Sequence, residues 1–217
     1  SVEFNGSGDR LIIPTSTDLN LTGDFTIEYW VYINSVGSIS YISLFSTSSS
    51  GSFGAETGFF WGASEDYFAF QNKGTTLVTA AMADPSKSWL HIAVTRSGST
   101  TRMFFNGNQT GSTTTSWDAV TGQSWYIGDR PSGATSGNYP LKGFISNLRV
   151  VKGTALYTDD FIPPTRELKR VPGTVLLCCQ DPNNPLTEAT GKTITGYGDL
   201  DQVYNTQLVP NGDFSNG

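Results

Sequence analysis

The fold class this sequence predicts is all-β, a two-sheet antiparallel β-sandwich of the jelly-roll type, and three observations carry the prediction. Apolar residues recur with a period of two in short runs, not with the helical period of about 3.6 in long ones. Turn chemistry separates nearly every pair of runs: the 217 residues include 24 Gly and 10 Pro, only 15% are charged, and Ser, Thr and Asn fill the gaps. Ten or more such runs follow one another without helical crossovers, so the strands pair as antiparallel neighbours.

The clearest element is "DFTIEYWVYI", in which Phe25, Ile27, Tyr29, Val31 and Ile33 form one face and Thr26, Glu28, Trp30 and Tyr32 the other. The first face is assigned to the core. Strands follow at "YISLFS" (41–46), "TGFFWGA" (57–63), "DYFAFQ" (66–71), "TTLVTAA" (75–81), "WLHIAVTR" (89–96) and "TRMFFNG" (101–107). Asn106-Gly107 ends the last of these with the dipeptide that tight hairpins prefer, because both central residues of a type I′ turn need positive φ. Further strands are expected at "SWYIGD" (124–129), "GFISNLRVV" (143–151) and "TVLLCCQ" (174–180). The pattern then loosens, with one last strand expected at 193–196. The expected organisation is a sandwich over 1–180, a C-terminal extension over 181–205, and a linker or the start of a further module over 206–217.

A chain of this length hides roughly 70% of the surface its unfolded form exposes, enough for one substantial core. A net charge of −6 and a pI near 4.6 repel phosphate backbones, which excludes nucleic acid as a partner. No run of 18 apolar residues occurs, so no membrane-spanning helix is expected, and the N-terminus lacks a signal-peptide pattern. The chain begins at Ser1, in mid-pattern, and reads as part of something longer. Cys178 and Cys179 are the only cysteines. Neighbours on a strand point to opposite faces, so two reduced, partly buried thiols are expected. With His91 as the single histidine, no structural zinc site can be assembled.

"VEFNGSGDRLIIP" (2–14), "GDFTIEYWVY" (23–32), "SWLHIAVTRSGSTTRMFFNGNQTGS" (88–112), "SWYIGD" (124–129) and "LKGFISNLRVVKGTALYTDDFIPP" (141–164) together resemble the concanavalin A-like lectin and laminin-G-like β-sandwich domains. The closure from Arg149 to Pro164 and the "LLCCQ" strand (176–180) resemble the version found in virion proteins of tailed bacteriophages, particularly those infecting marine cyanobacteria. "NGDFSNG" (211–217) resembles the start of a second β-sandwich module in the same long tail polypeptides. The resemblance implies a virion structural module, a tail fibre or surface decoration, at the virion surface or extracellular. Its implied partners are cell-surface polysaccharide and other virion subunits, with a homotrimer by analogy. Two alternatives stay open: a purely architectural capsid or tail protein, and the accessory module of a secreted bacterial enzyme or adhesin.

Physical reasoning makes the excursion from Lys152 to Pro164 a structural clasp. Gly153 permits a turn, Tyr157 and Phe161 are expected to plug the end of the sandwich, and Pro163-Pro164 forces extended geometry. A catalytic role for Asp159 and Asp160 has no companion signal. Polysaccharide hydrolysis on this fold needs two carboxylates flanking the scissile bond, about 5 to 9 Å apart. The E-x-D-x-x-E strand pattern of the family's glucanases is absent, Glu28 has no carboxylate two residues away, and Glu65 and Asp66 are consecutive. No nucleophile motif surrounds His91. The chain is therefore expected not to be an enzyme.

Binding is the stronger candidate. A sugar offers an apolar ring face and a belt of hydroxyls, which aromatics and amide or carboxylate side chains match. Trp30, Tyr32, Trp89 and His91 on non-core strand faces, with Trp117 and Tyr139 in polar loops, are the candidate carbohydrate-binding residues. Packing under loops or against a neighbouring subunit competes for each, and is preferred for Trp61 and Trp125. Calcium, which many relatives bind, is an optional cofactor. Asp9, Asp18, Asp24, Asp129 and Asp199 lie near turns, but no dense ligand loop occurs. Ser146-Asn147 stands where many relatives carry an acidic pair, so metal ligands are left unassigned.

Overall fold

The computed structural model describes residues 1–36, 41–48, 57–62, 66–130 and 139–201. Fourteen strands are assigned in it: β1 (Val2–Asn5), β2 (Arg10–Ile13), β3 (Phe25–Ile33), β4 (Tyr41–Ser48), β5 (Thr57–Gly62), β6 (Tyr67–Asn72), β7 (Thr75–Ala81), β8 (Trp89–Ser97), β9 (Thr100–Phe105), β10 (Asn108–Thr113), β11 (Ser124–Ile127), β12 (Lys142–Lys152), β13 (Thr174–Cys178) and β14 (Thr195–Tyr197). They form two antiparallel seven-stranded sheets. Sheet A runs β1-β12-β3-β8-β9-β10, with β13 also paired to β12, and sheet B runs β14-β2-β11-β4-β5-β6-β7. The core lies between them, and rings from the two sheets meet in it: Phe25 with Phe70, Tyr29 with Phe59, Phe68 with Phe105.

The alternation of β3 holds as expected, with Phe25, Ile27, Tyr29, Val31 and Ile33 all buried. Its other face is also covered. Thr26 and Glu28 are fully buried and Trp30 is 6% exposed, because residues 153–168 lie as a strap across the outside of sheet A. Thr26 Oγ1 donates to the Thr154 carbonyl and accepts the Leu156 N–H; Thr95 Oγ1 donates to the Tyr157 carbonyl; the Phe161 N–H donates to the Gly107 carbonyl. Tyr157 and Phe161 stack on each other at 3.6 Å between centroids and pack on Phe104. These rings therefore cover the outer sheet face and do not plug the end of the sandwich, because Gly153 turns the chain back over β3, β8 and β9.

β12 is the longest strand and serves two edges at once. One side pairs with β3, while β1 takes residues 142–145 of the other side and β13 takes residues 148–151. Asn147 sits between these halves with φ +54 and interrupts the ladder. Cys179, just beyond β13, is also left-handed, with φ +61. The expectation that the two cysteines point apart is therefore corrected: their sulfurs are 3.8 Å apart, both thiols free and buried.

β1, β2 and β10 are strands that the period-two reading passed over. β10 is polar and largely exposed, and is held as an edge by the hairpin through Asn106 and Gly107, which take φ +47 and +80. The last strand falls at 195–197, and Ile194 and Leu200 beside it are buried in the common core. The further-module assignment at 206–217 lies outside the described residues. No helix among those residues is long and apolar enough to cross a membrane.

Candidate functional site

The outer face of sheet B carries a hollow built by strand register. Tyr41 faces Gly62, which faces Tyr67; one step along, Ser43, Phe60 and Ala69 form a second row. Ser46, Gly58 and Gln71 form a third, and Tyr126 extends it through its pairing with Ser46. Glycine and alanine alternate with large aromatics, so the missing side-chain volume leaves a depression of about 110 Å³ lined by Tyr41, Phe60, Gly62, Tyr67, Ala69 and Gln71. Gly58 cannot be enlarged, since a Cβ there would stand 2.5 Å from the Phe45 carbonyl oxygen.

One end of the hollow is bounded by Tyr41, whose ring lies 5.3 Å from that of Tyr139. Tyr139 is held on both sides: its carbonyl accepts the Ser43 N–H, its N–H donates to Asp129 Oδ1, and the Arg130 guanidinium lies 4.2 Å from its ring centre. Burial pushes the Asp129 carboxyl up, outweighing the hydrogen bonds from the Arg130 and Tyr139 N–H groups and the charges of Arg10 and Arg130. The hollow thus combines aromatic walls, a side-chain amide at Gln71 and tyrosine hydroxyls. Among the described residues no carboxylate lines it.

The sequence candidates divide accordingly. Tyr139 stands beside the hollow. Tyr32 and Trp89 are half-buried on the outer face of sheet A, where they meet Phe144 in a triad with centroids 5.6 to 6.4 Å apart. Trp30 and His91 are corrected, because both are buried, while Trp117 is half-buried like Tyr32 and Trp89. Trp30 lies under the strap and donates its indole N–H to the Pro164 carbonyl; His91 is fully buried edge-on to Trp30 and Phe161. Trp117 closes one end of the core against Phe25 and Phe70, its indole N–H on the Leu21 carbonyl. Trp61 and Trp125 are core residues, as preferred.

Glu28 is not a free acid. It accepts two hydrogen bonds from Arg149, one from the Tyr157 hydroxyl, and lies 3.4 Å from His91 Nε2, all beneath the strap. Burial alone would raise its pKa, but the contact with His91 and the Arg149 guanidinium outweigh it and hold the carboxyl below its ordinary value. Burial first, and the Glu28 charge second, push the Tyr157 phenol up. Asp160 accepts the Gln109 N–H. Glu65 lies outside the described residues.

The calcium candidates are occupied by structural work. Asp9 accepts the Asn5 and Asp199 N–H groups, Asp18 pairs with Lys192, Asp24 accepts the Gly98 N–H, and Asp199 accepts from Asn5 Nδ2. Among the described residues no three His, Cys, Asp or Glu group so as to hold a metal ion.

Sequence reasoning missed Tyr41, Phe60, Tyr67 and Gln71. The signal was present in "TGFFWGA", where Gly58, Phe60 and Gly62 share one strand face and two of the three carry no side chain.

Solved structures share this architecture. A Bacteroides ovatus protein whose description assigns it provisionally to carbohydrate binding superposes with a TM-score of 0.65 at 18% identity, over 90% of this chain and 58% of its own. The heptameric SAP-like pentraxin of Limulus polyphemus gives 0.51 at 15% identity, over 68% of this chain and 73% of its own. At such identities the likeness is one of fold, and the chain spans little more than half of the Bacteroides protein. A search of curated proteins finds no match to the sequence. The laminin-G-like family model described as "Concanavalin A-like lectin/glucanases superfamily" matches residues 5–159, from the end of β1 into the strap, and the chain belongs to that superfamily.

Proposed function

We propose that this domain is a non-enzymatic carbohydrate-binding module whose ligand site is the outer-face hollow of sheet B, and that it is displayed at a virion surface or another extracellular surface. The superfamily contains binders and hydrolases, and the lining of the hollow favours the first. Tyr41 and Tyr67 offer faces on which the apolar side of a sugar ring stacks, and Gln71 offers an amide that both donates and accepts. Hydrolysis needs a pair of carboxylates at the bond to be cleaved, and the lining supplies none among the described residues. At about 110 Å³ the hollow is shallow beside ordinary ligand pockets of about 300–1,000 Å³, so it would seat part of one sugar unit, with the rest of a longer chain running over the sheet. The virion setting rests on the resemblance of the strap and of the strand bearing Cys178 to phage tail modules.

The test is direct binding of residues 1–201 to polysaccharides purified from candidate host cells. Saturable binding that weakens about tenfold or more in Tyr67→Ala, through loss of ring stacking, supports the reading. Absence of binding across a broad panel by folded protein moves the assignment to architecture. That second reading has an observation of its own in the half-buried Tyr32, Trp89 and Phe144 triad, which offers an aromatic surface of the kind enriched at subunit interfaces.

A further inference from the structure

We propose that Cys178 and Cys179 are a redox modification site, a vicinal dithiol that closes to a disulfide when the chain folds in the presence of a small-molecule disulfide. In regular strand geometry neighbouring side chains point to opposite faces, and two such cysteines cannot meet. Here Cys179 takes φ +61 and its sulfur comes to 3.8 Å from that of Cys178. A left-handed residue other than glycine is strained and persists only where its surroundings hold it.

The surroundings do hold it. The Cys179 carbonyl accepts the N–H of Asn147, itself left-handed at φ +54. The next side chain, Gln180, donates to Asn147 Oδ1 and to the Leu168 carbonyl, and the Leu168 N–H donates to the same Oδ1. The backbone around the pair is thus clamped between β12 and the far end of the strap.

Ring closure shortens the sulfur separation to about 2.0 Å. The difficulty with a bond between neighbours is the Cα separation of about 3.8 Å across a trans peptide, below the usual disulfide range of about 4.4 Å and upward, so strand-like dihedrals would strain the ring. The left-handed Cys179 removes the strand geometry at that point. Both side chains are buried, at 0% and 1% exposure, which shields them from reagents once the protein is folded. Closure therefore belongs to the folding reaction, while the thiols are still accessible.

The chemistry balances by thiol–disulfide exchange. One cysteine thiolate attacks a sulfur of oxidised glutathione and releases one glutathione thiol. The neighbouring thiolate then attacks the protein sulfur of the mixed disulfide and releases the second. The two cysteine protons end on the two glutathiones, the cysteine pair loses two electrons, and one glutathione disulfide gains them.

These are the only two cysteines in the chain, so the readout is unambiguous. Reduced protein is refolded from guanidinium in a buffer of oxidised and reduced glutathione, quenched with acid, and examined by intact mass and by maleimide labelling in denaturant. The same redox buffer with guanidinium retained measures closure without the fold. We expect a refolded monomer lighter by two hydrogens with no maleimide adduct, and a closed-to-open ratio at least about tenfold higher than in the unfolded chain. Cys178→Ser and Cys179→Ser should each stop at a glutathione adduct. Two adducts after refolding, a persistent glutathione adduct in the unmodified sequence, or equal closure with and without guanidinium would overturn the proposal. If refolding fails, protein exported to an oxidising periplasm gives the same mass and labelling readout.

Discussion

At the scale of single residues the most consequential group is Glu28, which the alternation of "DFTIEYWVYI" placed on a solvent face and the structure buries beneath Tyr157. Its carboxylate is satisfied by Arg149, Tyr157 and the His91 contact. Removing one partner leaves a buried charge uncompensated, so Arg149→Ala should cost about 3–5 kcal/mol in denaturant unfolding. The pH dependence has a definite sign. A carboxyl held below its ordinary value of 4.5 contributes stability that is complete above that value and is lost as pH falls through the lower folded value. Urea midpoints measured on descending pH should therefore fall below about pH 5, and Glu28→Gln should flatten the part of that fall due to this group. An equal slope in both proteins would show that other carboxyls carry it. Gly107 makes a second case: it takes φ +80, and a Cβ would stand 1.8 Å from the Phe161 carbonyl oxygen. Gly107→Ala should destabilise by more than about 1 kcal/mol, measured in the same assay.

At the scale of elements the strap decides how sheet A is read. Hydrogen bonds at Thr26, Thr95, Trp30 and Gly107 fasten it along its length, and its two stacked rings seal the polar cluster around Glu28. Thr26→Val keeps the shape but strands the Thr154 carbonyl and the Leu156 N–H, and should cost about 1–3 kcal/mol. In hydrogen exchange the Leu156 and Phe161 amides of that variant should open faster than amides of β8 and β9; uniform acceleration would mean that the strap and sheet open as one unit. The strands themselves were legible where one face is buried and the other is not, because that contrast writes period two into the sequence. β10 was illegible for the complementary reason. An edge strand with neither face in the core has no apolar alternation, and only the Asn106-Gly107 turn betrayed it.

At the scale of the whole molecule the sandwich does not end where the strand signal fades at residue 180. β14 completes sheet B beside β2, and Ile194 and Leu200 are buried in the shared core. Residues 1–180 should therefore be less stable than residues 1–201 by about 3–6 kcal/mol from those two side chains alone, at about 1.5–3 kcal/mol each. Comparing their urea midpoints checks this, and equal midpoints would make 181–201 an appendage. The amino-acid sequence by itself determined the fold class, most of the strands and the turn at Gly153 that ends β12. All of these are written locally, in alternation, turn residues and spacing. Only the tertiary structure decided which aromatics are buried and which stay accessible. Trp30 and Tyr32 are equivalent in alternation, yet the strap covers one and leaves the other half-open. The hollow on sheet B joins Tyr41, Phe60 and Tyr67 from three strands through their register. Burial of a second sheet face and convergence across strands depend on contacts between residues distant along the chain, and those arise only when the chain packs.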